Sequence, residues 1–261
     1  MKAYAALART SARSALTYRM AFVLSLFGVL FQFISMLAVW RVLLTDSSVR
    51  ALSWEQMRGY LLVAFASGVL IGLYADFRMM FRIKGGDVAL DLVKPVGYQE
   101  ARFAEVLGAL WIEILVVALV GGVMTLTAED MIWPRNGQLA LFAISMVLSV
   151  PLKFIILYSF ALGCFWTQNY MGIQWARIAI VNLFSGALIP LAYLPHSLAV
   201  VAAWSPFAGL VSTPALILVG GATGRHATML VLAELCWLIV LWFGAKLAWR
   251  VAVRQLTVNG G

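Results

Sequence analysis

Three ionisable residues of this 261-residue chain, Glu113, Lys153 and Glu234, each lie within a long apolar stretch. A charge in hydrocarbon is costly, so such residues face a protein interior, pair with one another or mark a path for protons or ions. Glu113 lies eight residues beyond Glu105, and Lys153 eleven residues before Cys164. At a rise of 1.5 Å per residue these depths are roughly 12 and 16 Å, close enough to meet across antiparallel neighbours. Three readings stand side by side: a structural Glu113–Lys153 ion pair, the lining of a polar path, or a lysine that snorkels to water. Glu234 has no evident partner in the sequence. Gln32 and Asn182 are lone polar residues in apolar stretches, a pattern that usually serves hydrogen bonds between helices.

Other reactive chemistry is sparse. The phosphate-binding pattern Gly-x-x-x-x-Gly-Lys-Ser/Thr is absent, so this chain does not carry its own P-loop ATPase site. Gly-x-Ser-x-Gly, His-Glu-x-x-His and Cys-x-x-Cys are absent too. His196 and His226 have no carboxylate or cysteine at ligand spacing. Cys164 and Cys236 read as small apolar residues, with no disulfide framework or metal spacing. No catalytic residue and no metal site are expected, and the chain is not expected to be an enzyme.

The elements that hold these residues follow from composition. Hydrophobic residues make up 63% of the chain and charged residues 11%, too apolar a balance for one water-soluble core. A bilayer core of about 30 Å needs roughly 20 apolar residues per helix. Six candidate spans are Met20–Leu44, Arg58–Ala75, Val106–Leu126, Gln138–Cys164, Ala176–Leu194 and Ala227–Trp249. Continuous runs, rather than short alternating segments, predict an all-α polytopic membrane protein and not a barrel.

The net charge of +8 is distributed by side rather than gathered into a nucleic-acid patch. With the N-terminus inside, thirteen of the nineteen Lys and Arg residues fall on the cytoplasmic side. Five (Arg41, Arg50, Arg58, Arg135 and Arg225) fall outside, which follows the positive-inside rule. Both termini are therefore expected in the cytoplasm, and no nucleic-acid partner is expected.

Along the chain, residues 1–19 read as an amphipathic interfacial helix with Arg9 and Arg13 toward anionic headgroups, and the first span as a retained anchor. The segment 76–105 is unusual. Phe77, Met80 and Phe81 continue an apolar face beside Arg78 and Arg82, Gly85-Gly86 breaks the helix, and Asp87 is placed to cap a second one, Val88–Val93. Lys94-Pro95 ends it. Two to eight residues suffice to join neighbouring helices, so two short helices around a Gly-Gly hinge point to a task beyond connection. Turns are expected at Trp133-Pro134 and Asn136-Gly137. In 189–226, Pro190, Pro195, Pro206 and Pro214 divide apolar sequence into pieces too short to cross, which reads as an external re-entrant region.

Arg9-x-x-x-Arg13, Tyr18-Arg19, the run Ile83-Lys84-Gly85-Gly86-Asp87-Val88-Ala89-Leu90-Asp91-Leu92-Val93-Lys94-Pro95, Phe184 to Pro190, Leu194-Pro195 and Ser205-Pro206-Phe207 together carry a resemblance. In order and spacing the chain resembles permease subunits of ATP-binding-cassette (ABC) exporters of the type-two (ABC-2) superfamily, in its compact bacterial family. The resemblance implies six spans in a single transmembrane domain, with an interfacial helix, external re-entrant helices and a cytoplasmic coupling helix. It also implies two copies of a separate ATPase subunit carrying ATP and Mg2+, a second permease (the same chain or a homologue), and a bacterial inner-membrane setting among lipids. The ATPase-coupling residues would be Arg82, Lys84, Gly85, Gly86, Asp87, Leu90, Asp91, Leu92, Lys94 and Pro95. Val88, Leu90, Leu92 and Val93 would offer an apolar face, and Asp87, Asp91 and Lys94 charged contacts. Apolar and aromatic span walls suit a lipophilic or amphipathic substrate. The alternative is a secondary transporter or channel working through Glu113, Lys153 and Glu234, which would call for clustered polar residues at the midplane and an internal repeat.

Overall fold

The computed structural model describes residues 2–17, 19–45, 51–70, 78–127, 136–167 and 169–255. Expected features at Tyr18, 46–50, 71–77 (with Asp76 and Phe77), Trp133-Pro134 and the last six residues lie outside these ranges.

The described residues form helices and turns and no strand. In chain order they are α1 (Lys2–Thr17), α2 (Arg19–Leu43), α3 (Trp54–Val69), α4 (Arg78–Lys84), α5 (Val88–Leu92), α6 (Tyr98–Thr127) and α7 (Asn136–Leu162). After these come α8 (Tyr170–Phe184), α9 (His196–Trp204), α10 (Ser212–Leu218) and α11 (Gly224–Ala252). Four stretches are long and apolar enough to cross a bilayer: Leu26–Leu43, Tyr98–Met124, Gly137–Phe165 and Gly224–Gln255. The other two expected spans correspond to α3, with 16 residues, and α8, with 15. At 1.5 Å per residue each is roughly 24 Å long or less. Helix α6 also starts earlier than expected, so Tyr98–Glu105 forms its first two turns and not part of a loop.

Helix α7 is the hub. Leu152, Phe154, Ile155, Leu157 and Tyr158 are all almost fully buried, and α3, α4, α6, α8, α10 and α11 pack around the core they anchor. Aromatic rings weld α7 to its neighbours. Phe154 meets Phe103 of α6 with centroids 4.9 Å apart, and Tyr158 lies 6.2 Å from Tyr98 of α6 and 6.5 Å from Trp249 of α11, which stack on each other at 4.2 Å. Such contacts add to plain burial.

At the far end from α4 and α5, the proline-broken region forms α9 and α10 as separate short pieces. It is fixed by side chains that satisfy loop backbone. The Tyr60 hydroxyl donates to Gly186 O at 3.0 Å, Gln56 Nε2 donates to Val219 O at 3.3 Å, and the Leu52 amide donates to the Tyr193 hydroxyl oxygen at 3.2 Å. Gly186, at φ 80°, turns the chain back where a side chain would strike the Tyr60 hydroxyl. Ser53 opens α3 with a capping box, its Oγ accepting from the Gln56 amide while Gln56 Oε1 accepts from the Ser53 amide.

Helix α1 packs lengthwise against α6, and the Gly97 amide donates to the Tyr4 hydroxyl oxygen at 3.2 Å. Its backbone at Ala8 runs so close to Gly108 that a side chain there would overlap it. Replacing Gly108 by Val should therefore dislodge α1 and destabilise the protein by about 1–3 kcal/mol, the usual cost of overpacking. Faster proteolysis of the first seventeen residues, with α6 still folded, is the expected readout.

Candidate functional site

Residues 78–97, ahead of α6, form a hairpin of two short helices. Helix α4 buries Met79, Met80 and Ile83, and helix α5 buries Val88 and Asp91. The break between them falls where the glycines predict it. Gly86 has φ 77°, a left-handed conformation that glycine adopts without steric cost. Asp87 stands at the start of α5 with helical angles and makes no side-chain capping bond. The expected Asp87 cap is thus corrected: the left-handed turn at Gly86 admits the chain to α5, and the Asp87 carboxylate remains exposed. The helix ends at Leu92, one residue short of expectation.

Asp91 is the organising group. Its side chain is 3% exposed and gathers three cations. Arg82 reaches Oδ2 through Nη2 at 2.7 Å and Nε at 3.2 Å. Lys94 reaches Oδ1 at 2.8 Å, and Arg102 Nη2 approaches the same oxygen at 3.5 Å. Arg102, itself 4% exposed, also pairs with Glu105 at 2.8 Å and lies over the Tyr98 ring. These contacts join α4, α5 and the start of α6 through one carboxylate. Burial alone would raise the Asp91 pKa, but the bonds from Lys94 and Arg82 and the nearby Arg102 charge outweigh it and hold the carboxyl below its ordinary value. Two expected surface residues therefore face inward: Val88 is a core residue, and Asp91 is an internal tether rather than an outward charge.

What remains outside is apolar. Phe81, Leu90, Leu92 and Val93 are 52%, 68%, 47% and 84% exposed. Gly85, Gly86, Asp87, Lys84, Lys94 and Pro95 are also at the surface beside them. Lys84 lies over the Tyr170 ring at 4.8 Å, and Phe81 packs on the same ring, so the hairpin also rests on the start of α8. Glu100 and Lys246 pair at 2.5 Å and tie the base of α6 to α11.

Two of the intramembrane ionisable residues have partners on other helices. Lys153 donates to the carbonyls of Ser67, Gly68 and Leu70. Helix ends leave carbonyls unsatisfied and carry partial negative charge, so Lys153 caps α3 from the side. Glu113 is buried within α6. Glu234 is buried too and accepts a hydrogen bond from the Ser145 hydroxyl at 2.7 Å, a partner that α7 supplies only in the folded chain. Cys164 is buried, Cys236 exposed, and both histidines are exposed. No group of His, Cys, Asp and Glu side chains among the described residues could hold a metal.

The sequence patterning therefore located the hairpin but not its tether. Arg102 was the missed residue; its spacing to Glu105, three along a helix, was the available signal.

Residues 29–260 match the model of the ABC-2 family transporter proteins. The chain belongs to the ABC-2 transporter family. No curated protein and no solved structure matches it. As an ABC-2 protein it is a membrane-embedded permease subunit of an ABC transporter, a membrane transport component. Family membership implies association with an ABC ATPase subunit.

Replacing Asp91 by Asn in this ABC-2 permease would remove the charge that Arg82, Lys94 and Arg102 share, with Arg102 keeping Glu105, and should loosen the hairpin by about 1–3 kcal/mol, less than a fully buried pair because Arg82 and Lys94 reach solvent. Hydrogen exchange should accelerate across 84–97 and little elsewhere. Because the folded carboxyl is depressed, the stabilisation from Asp91 is complete above the ordinary carboxylate value of about 4 and is lost as pH falls through its lower folded value. Exchange protection of the hairpin should accordingly be unchanged between neutral and mildly acidic pH.

Proposed function

We propose that this permease is the membrane half of an ATP-driven exporter with six spans per subunit, working as a dimer of permeases with two separate ATPase subunits. The observation that carries this reading is the apolar face of Phe81, Leu90, Leu92 and Val93 on a hairpin held by the buried Asp91 cluster. An element with so much exposed apolar surface, rigidly joined to two helices at its base, suits insertion into a cleft on a partner. Burial in that cleft would remove the apolar side chains from water, and Lys84, Asp87 and Lys94 would set the register around them.

Force transmission follows from the same contacts. Displacement of α5 would pass through Asp91 to Arg102 and so to α6, and through Arg82 to α4. ATP binding would draw the two ATPases together, move both hairpins and switch the dimer between inward- and outward-facing states. ATP and Mg2+ would belong to the partner. This reading puts the hairpin and both termini in the cytoplasm and the chain in the bacterial inner membrane, as the charge distribution supports. α3 and α8 would complete the six spans, and α9–α10 the external re-entrant region. The cargo would be lipophilic or amphipathic. Ion transfer through Glu113, Lys153 and Glu234 is less well supported, since Lys153 engages the end of α3 while Glu234 engages Ser145.

Co-purification with the ATPase tests this. Leu90→Asp with Val93→Asp, placed at largely exposed positions, should leave the permease folded yet abolish retention of the ATPase. A double variant that still holds stoichiometric ATPase would place the docking face elsewhere.

A further inference from the structure

Helix α11 is fastened at two levels, to the foot of α6 and to the proline-broken region. At the first level Tyr98 stacks on Trp249 with planes 3° apart, and Phe103 meets Trp242 edge-on at 5.4 Å. Gln99 Nε2 donates to Trp242 O at 3.3 Å, and Glu100 pairs with Lys246. Trp242, Lys246 and Trp249 are spaced four and three apart, so they share one face of α11. The same two turns of α6 carry Arg102, which approaches the Asp91 carboxylate of the hairpin and lies over the Tyr98 ring at 5.3 Å. A side-chain path thus runs from the hairpin through Arg102 and Tyr98 to Trp249.

The second level lies farther along the same helix. Trp237 precedes Trp249 by twelve residues, about 18 Å of helix. Its indole N–H donates to the carbonyl of Trp204, the last residue of α9, at 3.1 Å. The last carbonyls of a helix have no partner within it, so this bond ties α9 to α11 at a point where α9 cannot serve itself. One turn away, Glu234 comes so close to Gly209 that a side chain there would strike it and Leu152 of α7. Ala227 and Val231 pack with Ile217 of α10.

What joins the two levels is a single stiff element. Helix α11 is continuous from Gly224 to Ala252 with no proline inside it, whereas α7 contains Pro151. A proline in a helix interior removes a backbone hydrogen bond and kinks the rod. Helix α3 also meets the proline-broken region, through Tyr60 and Gln56. Its hairpin-side end, however, is held to α7 by Lys153.

We propose that Tyr98, Trp249 and Trp237 are positioning residues for transport, through which α11 carries displacement of the α4–α5 hairpin to the proline-broken region. This deepens the exporter reading and rests on it. The route through α3 is secondary.

The test is hydrogen exchange across 198–210 in the full permease–ATPase complex in phosphatidylcholine nanodiscs, with and without a non-hydrolysable ATP analogue. Exchange there should differ between the two nucleotide states in the unsubstituted complex. Tyr98→Leu removes the stack, and Trp237→Phe keeps a ring but removes the N–H. Each should retain the ATPase yet shrink that difference by about two- to tenfold, the scale of one aromatic contact or one hydrogen bond. Tyr98→Phe should preserve it, because the Tyr98 hydroxyl makes no hydrogen bond among the described residues. Tyr60→Phe, which removes the α3 contact to Gly186 O, should leave most of the difference in place. An undiminished response in Tyr98→Leu and Trp237→Phe would overturn the proposal. So would a rise in exchange that is equal in both nucleotide states, the mark of a merely structural role. Loss of the response in Tyr60→Phe alone would assign the path to α3 and overturn it as well. A permease that never retains its ATPase removes the exporter reading itself, whereas an intact complex with no nucleotide response at 198–210 removes only this inference.

Discussion

An apolar chain in hydrocarbon has no water with which to satisfy its N–H and C=O groups, and the architecture follows from that constraint. Continuous helix solves it along α6, α7 and α11. Where helix stops, a side chain has to serve instead. Lys153 meets the carbonyls at the end of α3, Tyr60 meets Gly186 O, and Gln56 meets Val219 O. The polar residues within the apolar stretches are in this sense the means by which short and broken helices are tolerated. They are few because each is costly to bury.

Beyond the apolar stretches the same accounting gives a different result. The α4–α5 hairpin has no long helix of its own; Met79, Met80, Ile83 and Val88 anchor it to the core, and two such short helices need a further contact to fix their mutual orientation. A carboxylate shared by Arg82, Lys94 and Arg102 supplies the orientation. Buried ion pairs are poor sources of net stability but fix geometry well once all members are present. That is the property required of an element that transmits movement. It also frees Leu90, Leu92 and Val93 from any internal duty, which is why they stand in solvent.

Much of this was legible in the sequence. The apolar runs announced helices, and Gly85-Gly86 with Lys94-Pro95 delimited the hairpin to within a residue. The features that were misread are all ones where local patterning and long-range contact compete. Asp87 has the right type and position for a cap, but the positive φ at Gly86 already feeds the chain into α5. Val88 and Asp91 look like members of a surface stripe, but Val88 joins the hydrophobic core and Asp91 meets Arg102 of α6. Four residues cannot establish a helical face by period alone when the helix is five residues long.

What the sequence determined by itself was the solvent, the secondary structure and the position of the hairpin. Those depend on composition, on residue period and on the backbone limits of glycine and proline, all of which act within a few residues. Tertiary structure decided which polar groups meet: Lys153 with the end of α3, Glu234 with Ser145, and Asp91 with Arg102. These partners come from different helices, most of them remote in sequence. Their pairing depends on how α7 packs its neighbours, and packing is a property of side-chain shape summed over the whole bundle.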